Sequence, residues 1–175
     1  EGKRKGAETW KERIVESESK DLEAYLAMAR LYRNQGAIGR AIRMHQNLLI
    51  RSELNRSERV EALLELGRDF EEGGFRSRAA ATYEELLGLE SGHAEILERL
   101  VSILLALNDF PRAFALVNRL RRRTRETGDR LEVTVLLAQS EAQIESGDND
   151  GARRSIKRCI RRDKTCGQAW LRLGE

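Results

Sequence analysis

The chain carries one proline, two cysteines and two histidines in 175 residues, and only 5% of it is aromatic. Each scarcity closes off a class of function. Cys159 and Cys166 stand seven apart, and no Cys-x-x-Cys pair occurs, so the spacing is not that of a zinc site. Cys159 reads as a small core residue and Cys166 as a free loop thiol, which suits a reducing cytosol. His45 and His93 form no His-x-x-x-His motif, and His45 reads as a packed imidazole. Neither a Gly-rich phosphate loop nor a nucleophile elbow is present. Glu71-Glu72 and Glu84-Glu85 are adjacent pairs, which diverge by about 100° on a helix and form no carboxylate dyad. No catalytic residue, metal or cofactor is therefore expected. No run of 18 apolar residues exists to cross a membrane. The chain opens on Glu1 rather than Met and holds half a repeat at each end, so it reads as a fragment, and the lack of a signal peptide is weak evidence about targeting.

What is present is a repeat. Ala7, Ala41, Ala79, Ala113 and Ala152 recur at intervals of 34, 38, 34 and 39 residues. Twelve residues before the four later alanines come Ala29, Gly67, Val101 and Ser140, and Gly174 continues that column. Five residues before every alanine comes Gly2, Gly36, Gly74, Asn108 or Gly147, residue types that tolerate a positive φ and end helices. Each unit thus reads as a first helix, a left-handed stop, a short turn and a second helix carrying the alanine. Asn55 with Glu58, Asp129 with Glu132 and Thr165 with Gln168 have capping-box spacing. Pro111 falls in the first turn of a second helix, where its missing N–H costs little. Apolar positions such as Leu63, Leu66 and Phe70 follow the stripe of an amphipathic helix, and no segment alternates like a strand. The expected fold is all-α. Its parts are a second helix over 1–18, repeats over about 22–55, 60–92, 94–127 and 133–164, and a first helix over 167–175.

Leu63, Leu66-Gly67, Phe70, Ala79 and Tyr83, with Tyr25, Tyr32 and Ala41, resemble the tetratricopeptide repeat pattern. That resemblance covers the whole chain and implies a right-handed α-solenoid with a concave groove lined by first helices. A narrower one covers residues 22–87. The strings at 31–36, 40–46 and 66–70 are similar to the lipopolysaccharide assembly protein B family. Its members are inner-membrane adaptors with cytoplasmic repeats and a zinc module. They help a membrane protease control a lipid A biosynthetic enzyme.

By the tetratricopeptide register, the groove residues are Leu26, Arg30, Arg33 and Asn34, then Leu64, Arg68 and Glu71. Leu105 follows in repeat three, and Leu137, Glu141 and Ile144 in repeat four. Arg30, Arg33 and Arg68 are expected to grip a partner's carboxylates or carbonyls. The clamp of chaperone-tail-binding repeats is missing, because Leu26, Arg30 and Glu65 stand where its Lys and two Asn would be. Charge is uneven. Residues 1–100 hold 17 basic and 19 acidic groups, and residues 101–175 hold 15 and 10. The excess lies at Arg121, Arg122 and Arg123 and at Arg154, Lys157, Arg158 and Arg161, which the resemblance places on the outer, convex side. That basic face suits an anionic membrane surface or an acidic partner.

The expected function is a non-catalytic adaptor that binds protein partners in its groove. By resemblance it sits on the cytoplasmic side of the inner membrane, with a membrane protease and a lipid A enzyme as its partners. The rival reading is a nucleic-acid-binding repeat that uses the basic face. It ranks lower, because that region lacks a set of base-stacking aromatics. Trp170, Leu171 and Leu173 on the last helix have no following helix to cover them, so self-association through that helix is expected.

Overall fold

A computed structural model describes residues 22–174, apart from 52 and 123. The helix expected over 1–18, with Gly2 and Ala7, lies outside the described residues. Every regular element among the described residues is an α-helix. Helix α1 covers 22–34, followed by α2 (Ile38–Leu49), α3 (Arg56–Glu72) and α4 (Arg76–Leu89). Then come α5 (Ala94–Ala106), α6 (Phe110–Arg121), α7 (Arg125–Glu145), α8 (Asn149–Arg162) and α9 (Gly167–Gly174). The chain divides after Glu90 into two compact units, the first containing α1 to α4 and the second α5 to α9.

The stops between paired helices share one geometry. Gly36, Gly74, Asn108 and Gly147 have φ of 75°, 73°, 56° and 79°. After each, a backbone N–H reaches five residues back: Ala37 to Tyr32, Phe75 to Phe70, Asp109 to Leu104 and Asp148 to Gln143. The left-handed residue itself bonds three back, which completes a Schellman motif at all four sites. Asp109 and Asp148 also cap α6 and α8 by accepting from the N–H groups of Arg112 and Gly151. Pro111 lies in the first turn of α6, as expected.

Both small-residue columns are buried. Ala41, Ala79 and Ala113 are fully enclosed and Ala152 nearly so, as are Ala29, Val101 and Ser140. Gly67 allows the closest approach, since a Cβ there would strike the Tyr83 ring. Four residues past each alanine, His45, Tyr83, Val117 and Ile156 fill the same core layer. Three further on stand Leu48, Leu86, Leu120 and Cys159, all buried.

The repeat boundaries differ from expectation in one systematic way. Arg56 opens α3 eleven residues before Gly67, Ala94 opens α5 seven before Val101, and Arg125 opens α7 fifteen before Ser140. The three first helices thus differ in lead by four residues at a time, close to one turn. Repeat two starts at 56 rather than 60. Residues 125–132, of which 125–127 were expected to close repeat three and 128–132 to lie between repeats, form the first two turns of α7. The capping box at Asn55 and Glu58 is present, with both reciprocal bonds. The other two are not. Asp129 and Glu132 lie inside α7 and pair with arginines, and Thr165 gives its hydroxyl to Asp163 while α9 begins at Gly167.

Candidate functional site

On α1, Arg30 and Arg33 are three residues apart and share a face. On α3, Glu61, Glu65 and Asp69 recur every four residues and make the complementary stripe. The two stripes meet. Arg30 reaches Glu61 at 2.7 Å and Glu65 at 3.2 Å, and Arg33 reaches Glu65 at 2.6 Å and Asp69 at 2.8 Å. Arg68 adds a third guanidinium to Glu65 at 3.1 Å. From α2, the Nδ1–H of His45 donates to the other Asp69 oxygen at 2.6 Å. Asp69 and His45 are fully enclosed, and Glu65 is 3% exposed. Burial alone would push the Glu65 carboxyl up. The hydrogen bond and charge of Arg33, with the charges of Arg30 and Arg68, reverse this and hold it below the usual carboxylate range.

This geometry corrects the sequence-based assignment of unit one. Arg33 is only 14% exposed, and both its terminal nitrogens are spent on Glu65 and Asp69. It neutralises buried acids, so its guanidinium is not offered to a partner. Leu26 is not a groove residue either, because it is 2% exposed and packs with Leu22, Leu48 and Ala62. Arg30 and Arg68 are partly exposed but paired. Asn34 is exposed and Leu64 half-buried, while Glu71 accepts a bond from the Tyr83 hydroxyl.

In unit two the first helices are again cross-linked by ion pairs, Arg130 to Glu98 between α7 and α5, and Arg172 to Glu141 between α9 and α7. Arg172 also donates to the Leu137 carbonyl at 3.3 Å. Leu105 and Leu137 are half-buried, and Leu137 packs against the cluster of Leu136, Ile156, Cys159 and Ala169. Ile144 is 47% exposed.

The basic residues of this unit surround a second buried acid. Glu132 of α7 is enclosed and takes Arg121 of α6 at 2.8 Å, and Arg158 and Arg162 of α8 at 2.7 Å each. Burial raises its carboxyl, but the Arg158 hydrogen bond and the charges of Arg162 and Arg158 outweigh that and hold it low. The Arg158 guanidinium sits 5.0 Å over the Phe114 ring. Arg122, Arg154, Lys157 and Arg161 are exposed, and Arg123 lies outside the described residues. Arg121 closes α6, and the next described arginine after Arg122, Arg125, opens α7.

Sequence reasoning overlooked the acids at the centre of both clusters. A signal was available: Arg30 with Glu61, Arg33 with Glu65, Arg130 with Glu98 and Arg172 with Glu141 are 31 or 32 residues apart, close to one repeat. Among the described residues, no group of three His, Cys, Asp or Glu side chains is placed to hold a metal ion. No described helix is long and apolar enough to cross a membrane.

Helix pairs closed by left-handed stops and interlocked through alanine columns define an α-solenoid class, and residues 64–126 match the family model of the tetratricopeptide repeat. Residues 64–126 are thus of the tetratricopeptide repeat type, and the helix pairs on either side repeat their left-handed stops and buried alanines. Over 162 residues, 92% of its length, it is 26% identical to lipopolysaccharide assembly protein B of Escherichia coli strain K12, and it spans 41% of that relative. Among solved structures, a tetratricopeptide repeat protein from Parabacteroides merdae is similar with a TM-score of 0.59 and 16% identity, over 87% of this chain and 57% of that one. YrrB, described as a tetratricopeptide repeat protein with an unusual peptide-binding site, is similar with a TM-score of 0.51 and 13% identity, over 93% and 97%.

Proposed function

We propose that the chain is a scaffold that binds segments of partner proteins on the first-helix faces of its repeats and carries out no chemistry of its own. One observation carries this reading. After the arginine–glutamate pairs are accounted for, those helices still present adaptable contact groups: Asn34 and Leu64 in unit one, and Leu105, Leu137 and Ile144 in unit two. Mixed polar and apolar surface of this kind suits recognition of an extended or helical segment. Arg30, Arg68, Glu71 and Glu141 frame these groups, with side chains held in place by their partners.

Similarity to lipopolysaccharide assembly protein B supports a finer reading. In it, the repeats lie on the cytoplasmic side of the inner membrane and join a membrane protease to a lipid A biosynthetic enzyme. The test is titration of the purified chain against the cytoplasmic portions of those two partners, with Ile144→Glu as the site variant. Binding that weakens about tenfold or more in the variant, at unchanged thermal stability, is the expected result. Binding that ignores the substitution moves the site elsewhere. Absence of binding to either protein removes the lipid A reading.

A further inference from the structure

The two buried-acid clusters are built alike but balanced differently. In unit one, Arg30, Arg33 and Arg68 meet three carboxylates, those of Glu61, Glu65 and Asp69. In unit two, Arg121, Arg158 and Arg162 share Glu132, and Arg121 also comes within 3.8 Å of Asp129, which Arg125 shares at 3.7 Å. Next along α8, Arg154, Lys157 and Arg161 have no acidic partner among the described residues. Of the four cations Arg154, Lys157, Arg158 and Arg161 on this face, only Arg158 has a carboxylate partner among the described residues. Like charges gathered this closely repel one another unless an external anion is shared among them.

The surplus also has a shape. Arg154, Lys157, Arg158 and Arg161 rim a hollow of about 360 Å³ whose floor includes Leu136 and Gln139 of α7. Glu132 and the Phe114 ring hold Arg158 in place, so one wall of the hollow is pre-organised. We infer that this hollow is a second docking site, separate from the first-helix faces, for a protein segment with clustered carboxylates.

Two other polyanions fit less well. A bilayer is entered by apolar side chains as well as met by charge, and none of the exposed large apolar residues lies on α6 or α8 to enter it. Single-stranded nucleic acid adds stacking on exposed rings to its phosphate contacts, and the Phe114 ring beside Arg158 is half-buried and covered by it. Carboxylate side chains find forked donors in Arg154, Arg158 and Arg161, of which Arg158 is already held in place.

The test uses a fluorescein-labelled hexaglutamate peptide, read by fluorescence anisotropy at about 50 mM salt, where screening is weak. Lys157→Glu with Arg161→Glu reverses two exposed charges at the hollow. Arg43→Glu with Arg76→Glu makes the same change in net charge at exposed positions of α2 and α4. The hollow variant should lose about tenfold or more in affinity, and the control less than about threefold. Equal losses would reduce the effect to net charge and overturn the site, as would failure of the parent to bind the peptide. Parallel arms use vesicles of phosphatidylcholine and phosphatidylglycerol and a single-stranded RNA oligomer. If either outcompetes the peptide in the parent and is lost in the hollow variant alone, the occupant is a membrane or a nucleic acid and the proposal fails. Because Ile144 lies outside this hollow, its substitution tests the scaffold reading separately.

Discussion

Arg33 and Asp69, 36 residues apart in the chain, are joined by a 2.8 Å hydrogen bond between α1 and α3, and the same carboxylate binds His45 on its other oxygen. One side chain on the first helix thereby settles the charge of two enclosed acids on the third. Arg33→Ala should destabilise unit one by about 3–5 kcal/mol, because Glu65 and Asp69 would remain buried without their main cation. Chemical denaturation measures this. A loss below about 1 kcal/mol would show that the acids are solvated or neutralised in another way.

Acid should undo both clusters. Glu65 and Glu132 titrate below the ordinary glutamate value of about 4.3 when folded. A carboxylate held low in the folded state contributes stability above its unfolded value, and that contribution disappears as pH falls through the folded one. Urea midpoints are therefore expected to be level near neutrality and to drop as pH falls below about 4.3. In Glu65→Gln the drop should be shallower, from a lower starting stability. An acid limb as steep as the parent's would exclude Glu65 as a source.

Two glycines should fail for different reasons. Gly74 has φ +73° with nothing near its absent Cβ, so Gly74→Val costs backbone strain alone, upwards of about 1 kcal/mol. Gly74→Asn should recover most of this, as Asn108 already serves at φ 56°. Gly67→Ala instead drives a methyl into the Tyr83 ring and should cost about 1–3 kcal/mol by overpacking. Thermal melts of the three variants separate the cases.

The thiols should react unequally. Burial first, then the neighbouring Cys166 and Asp163, pushes the Cys159 thiol up to about 12, and the two sulfurs are 3.9 Å apart. Thiolate is the reactive form, so a disulfide reagent at mildly alkaline pH should titrate one thiol per folded chain, at Cys166. The second should appear only in denaturant. Two equally fast thiols would contradict the burial of Cys159.

Helix α9 leaves Trp170 and Leu171 exposed, at 53% and 69%. The Trp170 indole N–H is tied to the Lys164 carbonyl at 2.9 Å, so the ring is presented in a fixed pose. Sedimentation velocity over a concentration series should show self-association that Leu171→Lys weakens. A parent that stays monomeric throughout rules this out.

Much of this was legible in the residues themselves. Stops and alanine columns depend on local backbone rules and on size, so Gly36, Gly74, Asn108 and Gly147 announced their φ, and Ala41, Ala79, Ala113 and Ala152 their burial. The site was harder to read, because charge says nothing about burial until helices are paired. Arg33 looked like a groove cation on the α1 stripe, and only the approach of α3 shows its fork closed on Glu65 and Asp69. Glu132 was misread from its position three residues after Asp129. The same spacing serves a cap or a mid-helix pair, and the extra turns of α7 decide which.

The stepwise lead of α3, α5 and α7 has a consequence for how such a chain can grow. Each residue added ahead of a helix turns the point of entry by about 100°, so four bring it round to within about 40° of where it began. An insertion of four residues thus delivers the incoming chain to nearly the same side of the helix, merely farther along it, and one of eight turns it by about 80°. An insertion of two would send the connection to the opposite side. The 38- and 34-residue intervals of the alanine column differ by four and so follow a phase rule, under which repeat length changes while the contact surface keeps its bearing; the 39-residue interval departs from it by one residue.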